Sequence, residues 1–160
     1  MLGRVNRLRS AAVIGVVIAS LALSGCLPSI RDSNAPDLEQ AIPEALLAAD
    51  LGIADASASH GTDGLTSYVT TIMAVPGGEL GPDDLRTILR IVAEGTNISN
   101  VSHLRLTAVV GDELIAGDDP FADREYLDLS ALADQAGVEW SSPREDEIVV
   151  DWDAVVEGAG

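Results

Sequence analysis

Leu85, Ile88, Leu89 and Val92 stand at the i, i+3, i+4 and i+7 spacing that an α-helix turns into one apolar stripe, while Arg86, Arg90 and Glu94 stay off it. Gly81-Pro82 opens this segment, Asp83 and Asp84 suit the positive end of the helix dipole, and Gly95 ends it. Just beyond, the period changes. From Val101 to Val110, the residues Leu104, Leu106, Ala108 and Val110 alternate with His103, Arg105, Thr107 and Val109, the pattern of a strand with one core face and one wet face. An apolar stripe and an apolar sheet face must each be buried, and the economical arrangement is one against the other.

The flanking segments fit the same layers. Leu38 to Leu51 is rich in Ala and Leu, with Pro43 suited to a first helical turn, Gly52 past the end, and Leu46, Leu47 and Leu51 as a short stripe. Ile53–His60 and Leu65–Val75, joined at Gly61-Thr62-Asp63-Gly64, predict a β-hairpin. Leu129, Leu132, Ala133 and Ala136 make a shorter helical stripe ended by Gly137. Ile148, Val150 and Trp152 alternate as a last strand, with Val138 to Trp140 as a candidate pairing segment across Ser141-Ser142-Pro143. The order helix, hairpin, helix, strand, helix, strand predicts an α+β two-layer sandwich, a four- or five-stranded sheet with helices packed on one face. It resembles a ferredoxin-like plait in element order alone, and such a likeness carries no function.

Charge narrows the partners. The chain has 26 acidic residues against 9 basic ones, every one of them Arg. Arg4, Arg7 and Arg9 all precede Cys26, so the 135 residues from Cys26 onward carry a net charge of −20. Such a surface repels phosphate backbones and anionic headgroups, so no nucleic-acid partner is expected. Aromatic residues are 3% of the chain, which leaves the core to aliphatic side chains.

The first 26 residues have a grammar of their own: a basic start, an apolar run from Ala11 to Leu23, and the close Leu23-Ser24-Gly25-Cys26. The apolar run is about 13 residues, short of the roughly 20 that a helix needs to cross a bilayer. Leu23-Ser24-Gly25-Cys26 resembles the lipobox of bacterial lipoproteins, in which an apolar residue and two small residues precede a cysteine. The resemblance implies diacylglycerol on the Cys26 sulfur, cleavage between Gly25 and Cys26, and a new amino terminus open to N-acylation. Residues 1–25 are then a cleaved signal peptide, residues 26–37 a lipidated cysteine with a flexible tether, and residues 38–160 one small domain. That domain is expected on the extracytoplasmic face of the cell membrane, held by two or three acyl chains rather than by charge.

Candidate chemistry is sparse. Asp112, Glu113, Asp118, Asp119, Asp123, Glu125 and Asp128 place seven carboxylates within 17 residues. Calcium takes six to eight oxygen ligands, so Asp118, Asp119, Asp123, Glu125 and Asp128 are the metal candidates, although their order departs from the EF-hand loop and a solvated acidic loop gives the same pattern. His60 and His103 are the only histidines, and with no second Cys a zinc site would need both of them and a carboxylate brought together. No Gly-x-Ser-x-Gly elbow is present. Gly77-Gly78 and Gly81 before a helix lack the Lys of a phosphate loop and read as a turn and cap.

These observations predict a lipid-anchored, non-catalytic envelope protein that needs no cofactor and binds a protein or wall component near the membrane. Capture of calcium or a small ligand is the alternative expectation, and a small hydrolase built on His60 or His103 the third.

Overall fold

The structure is a computed structural model, and it describes residues 38–114, 124–144 and 146–159. Cys26 with the lipobox and tether, and Asp118, Asp119 and Asp123 of the acidic run, lie outside the described residues. The elements are α1 (Leu38–Ala48), β1 (Asp55–Asp63), β2 (Thr66–Val75), α2 (Pro82–Gly95), β3 (Val101–Val110), α3 (Leu129–Ala136), β4 (Ser141–Arg144), β5 (Glu147–Asp151) and α4 (Trp152–Gly158). The strands form one sheet in the order β1-β2-β3-β5-β4. Only β2 and β3 run parallel, joined by the α2 crossover, and the other pairs are antiparallel. The α+β sandwich is therefore five-stranded and mixed. It begins with a hairpin before the crossover, unlike a plait of βαββαβ order.

Helix α2 forms where its period requires. Pro82 takes the first turn, where a missing N–H goes unnoticed, and the Gly81 N–H donates to Asp84 Oδ2 at 2.7 Å, one half of a capping box. Leu85, Ile88, Leu89 and Val92 are fully buried, each contributing about 1.5–3 kcal/mol relative to exposure. The helix touches α1, α3 and α4, so all four helices make one layer. At its end Gly95 lets α1 come close: a Cβ there would lie 2.7 Å from Ile42 Cγ1. Arg86 ties α2 to α3, donating from Nη2 to the Ala136 carbonyl at 2.9 Å and from Nη1 to Asp83 at 2.6 Å.

Against that layer the strands present Val69, Thr71, Met73 and Val75 from β2, Leu104, Leu106 and Ala108 from β3, Ile148 and Val150 from β5, and Ala58 from β1, all buried. Thr71 is the only polar side chain among them, and its Oγ1 has no hydrogen-bond partner.

Several expectations shift at element ends. The buried stripe of α1 is Leu38, Ile42 and Leu46, at i, i+4 and i+8, which leaves Leu47 exposed, and Pro43 lies inside the helix rather than in its first turn. Strand β1 continues through Gly61 to Asp63, leaving Gly64-Leu65 as the turn. Gly61 is in the ladder because the Tyr68 ring occupies its side-chain space: a Cβ would meet Tyr68 Cζ at 2.5 Å. Val138 to Trp140 is not a strand; the partner of β5 is Ser141–Arg144. Trp152 opens α4 instead of ending β5, and Val155 carries that helix into the core.

Thr71 supplies a test of the layer. A buried hydroxyl without a partner costs about 1–3 kcal/mol, and valine has the same shape without it. Thr71→Val is expected to raise unfolding stability by about 1 kcal/mol in urea titrations at unchanged slope; a loss of stability would mean that the hydroxyl is satisfied.

Candidate functional site on the open face of the sheet

Because successive strand residues point to opposite faces, burying one set under the helices exposes the other. On β2 that other set is Tyr68, Thr70 and Ile72, and on β3 it is His103, Arg105 and Thr107, all half-buried. Parallel register sets Tyr68 beside His103 and Thr70 beside Arg105, and the antiparallel pairing of β5 adds Asp151 beside His103 and Val149 beside Arg105. The buried residues of the described helices join Val69, Leu104 and Leu106 of the other face in one core cluster. Among the described residues the face closes only at its far end, where Ala74 and Val109 are buried. There Tyr126 bridges to Val109, and the chain leaving β3 crosses toward β1 so that the Leu114 N–H donates to Asp55 Oδ2 at 3.0 Å. This bridge explains why Val109, expected on the wet face, is covered.

At the centre of the open part three side chains pack as a unit. The Tyr68 and His103 rings stack with centroids 5.4 Å apart and planes 14° from parallel. The Arg105 guanidinium carbon sits 4.2 Å from the Tyr68 ring centre, a cation–π contact worth about 0.5–2 kcal/mol depending on how much water it excludes. Arg105 Nε is buried and has no hydrogen-bond partner, and among the described residues the one ion pair is Arg86–Asp83. A guanidinium half out of water, with a buried donor and no counter-ion among the described residues, is in an unfavourable state, by about 1–3 kcal/mol for the donor alone. Its five N–H groups form a planar fork that fits a carboxylate or phosphate.

The other candidates are placed differently. His60 lies on the helix side of the sheet, opposite Val69, whereas His103 lies on the open side beside Tyr68. The two histidines therefore project from opposite faces and cannot share a metal. The His60 Nε2 to Ser67 Oγ distance is 2.8 Å, an exposed hydrogen bond that joins a base to a hydroxyl, with no carboxylate among the described residues orienting the ring.

Of the acidic run, Asp112, Glu113, Glu125 and Asp128 are described, and no three His, Cys, Asp or Glu among the described residues converge to hold a metal ion. Asp128 is the N-cap of α3: its Oδ1 accepts from the Ser130 N–H at 3.0 Å, from the Ala131 N–H at 3.3 Å and from the Ser130 hydroxyl. Those bonds, the Ser130 hydroxyl foremost, hold its carboxyl below the ordinary value. Beside it a cleft of about 490 Å³ opens between α3 and the β4–β5 hairpin, lined by Trp140, Arg144 and Glu147 among others. Two of its polar groups are already engaged, Asp128 in the cap and Trp140 Nε1 in a 2.8 Å bond to Asp134. Among the described residues no helix is long and apolar enough to cross a membrane.

The cap has a pH signature. A depressed folded-state value means that the stabilisation is complete above the unfolded-state value and is lost as the pH falls through the folded one. Asp128→Ala is therefore expected to lower the melting temperature at neutral pH, with the deficit shrinking as the pH drops below about 3.8, the ordinary carboxyl value. A deficit independent of pH would remove the carboxylate from the explanation.

Comparison with protein-family models, with curated proteins and with solved structures finds no match for this chain.

Proposed function

We propose that this chain is a lipid-anchored envelope protein of the extracytoplasmic membrane face, a non-catalytic module that binds a protein or wall partner through the open side of its sheet. The address rests on Leu23-Ser24-Gly25-Cys26, where each position has the residue type that a lipobox requires. The binding role rests on one observation: the helices occupy a single face, and the opposite face carries Tyr68, His103 and Arg105 as a packed, solvent-reaching cluster.

Tyr and Arg are the side chains that most often dominate binding energy at interfaces, because each offers a large area with a polar end at small entropic cost. Here packing restrains both before any partner arrives, which lowers the ordering cost of association. The surrounding acidity disfavours nucleic acid and unassisted adsorption to anionic lipid, so acyl chains account for membrane residence where charge does not. The eleven residues from Leu27 to Asp37 span at most about 40 Å, so a partner must lie within a few nanometres of the bilayer.

Intact mass and detergent partitioning of the native protein beside a Cys26→Ser variant test the address. The native form should lack residues 1–25, carry added acyl mass and enter the detergent phase, while the variant stays aqueous. Identical behaviour of the two would remove the anchor and with it the membrane-proximal partner.

A further inference from the structure

Among the described residues no anion is placed against the Arg105 cation. Its guanidinium is stacked on Tyr68, its Nε–H is buried without an acceptor, and it has no ion pair among the described residues. The nearest acids by register do not serve it. Strand β5 puts Val149 directly beside Arg105, and Glu147 and Asp151 stand two residues to either side on the same face without pairing to it. On the other flank β2 supplies the Thr70 hydroxyl.

We propose that Arg105 is the anchor point for a single carboxylate, an Asp or Glu side chain presented by a protein partner whose surface is otherwise basic. This deepens the reading of the open face as a binding surface and rests on it. With Nε buried, the two terminal nitrogens of Arg105 match a carboxylate in the end-on two-bond geometry, with His103 and Thr70 alongside as further polar contacts. The cluster stands on the flat of a sheet, where a small free acid would be left largely in water; a protein surface covers it and excludes that water. Charge selects the rest of the partner. A net charge of −20 on the residues from Cys26 onward repels an acidic body at long range and draws in a basic one, so the carboxylate must come as a local exception on a positive surface.

The test uses the full-length protein, 15N-labelled and held in neutral detergent micelles, titrated with the peptide acetyl-Arg-Leu-Glu-Leu-Arg-amide and with its Gln counterpart. The Glu peptide should move the Arg105 Nε–H resonance and the amides of Tyr68 and His103, and the Gln peptide should bind at least about tenfold more weakly, the ratio expected for a charge-assisted hydrogen bond. Arg105→Gln should abolish this discrimination. Arg105→Lys, which keeps the charge but not the fork, should recover part of it and guards against a Gln variant that fails to fold. Equal response to the two peptides at the open face would overturn the carboxylate anchor while leaving the face a binding surface. No response at any open-face resonance would overturn it as well, and the reading of the chain as a lipid-anchored protein would still be judged separately, by the mass and partitioning of Cys26→Ser.

Discussion

The parallel pairing of β2 with β3 depends on the burial of one helical stripe, and the rest of the molecule depends on that pairing. Leu85, Ile88, Leu89 and Val92 must leave water, and the crossover gives them one sheet face on which to do so. Once α2 lies there, α1, α3 and α4 gain most by packing beside it, because each is too short to bury an apolar stripe alone. A one-sided helix layer follows, and so does an open sheet face.

That asymmetry makes the cluster of Tyr68, His103 and Arg105 meaningful. Its members come from two strands separated by the whole α2 crossover, and only the β2–β3 register brings them into contact. Gly61 on β1 leaves room for the Tyr68 ring, so three strands contribute to one surface feature. An arginine held over a ring, with no ion pair among the described residues, can still offer its terminal N–H groups to an acceptor that a partner supplies. The acidic body around it keeps anionic competitors at a distance.

Much of the layer order was legible in the sequence, because periodicity reports burial directly. The α2 stripe, the alternation of β3 and the Leu129–Ala136 helix all stand where their spacing puts them. The ends were less legible, for reasons of tertiary contact. Glycine at 61 signals a turn until Tyr68 is seen filling the space above it, and Trp152 continues the alternation of β5 although Val155 one turn on draws the chain into a helix. The site was half legible. Alternation assigns His103 and Arg105 to the wet face of β3, but no local pattern says that Tyr68, more than 30 residues earlier, lies against them. Asp128, one of the acids in the run, uses its Oδ1 to cap α3, a role that the acidic pattern does not signal.

On the proposed reading, a partner covers the open face of the sheet in the native envelope. Hydroxyl-radical footprinting read by mass spectrometry measures this directly at Tyr68 and His103, with the exposed Leu65 of the hairpin turn as an internal reference. Both rings should be oxidised in the purified protein and protected in intact envelopes, while Leu65 reacts equally in both. Equal oxidation of Tyr68 and His103 in the two preparations would contradict it.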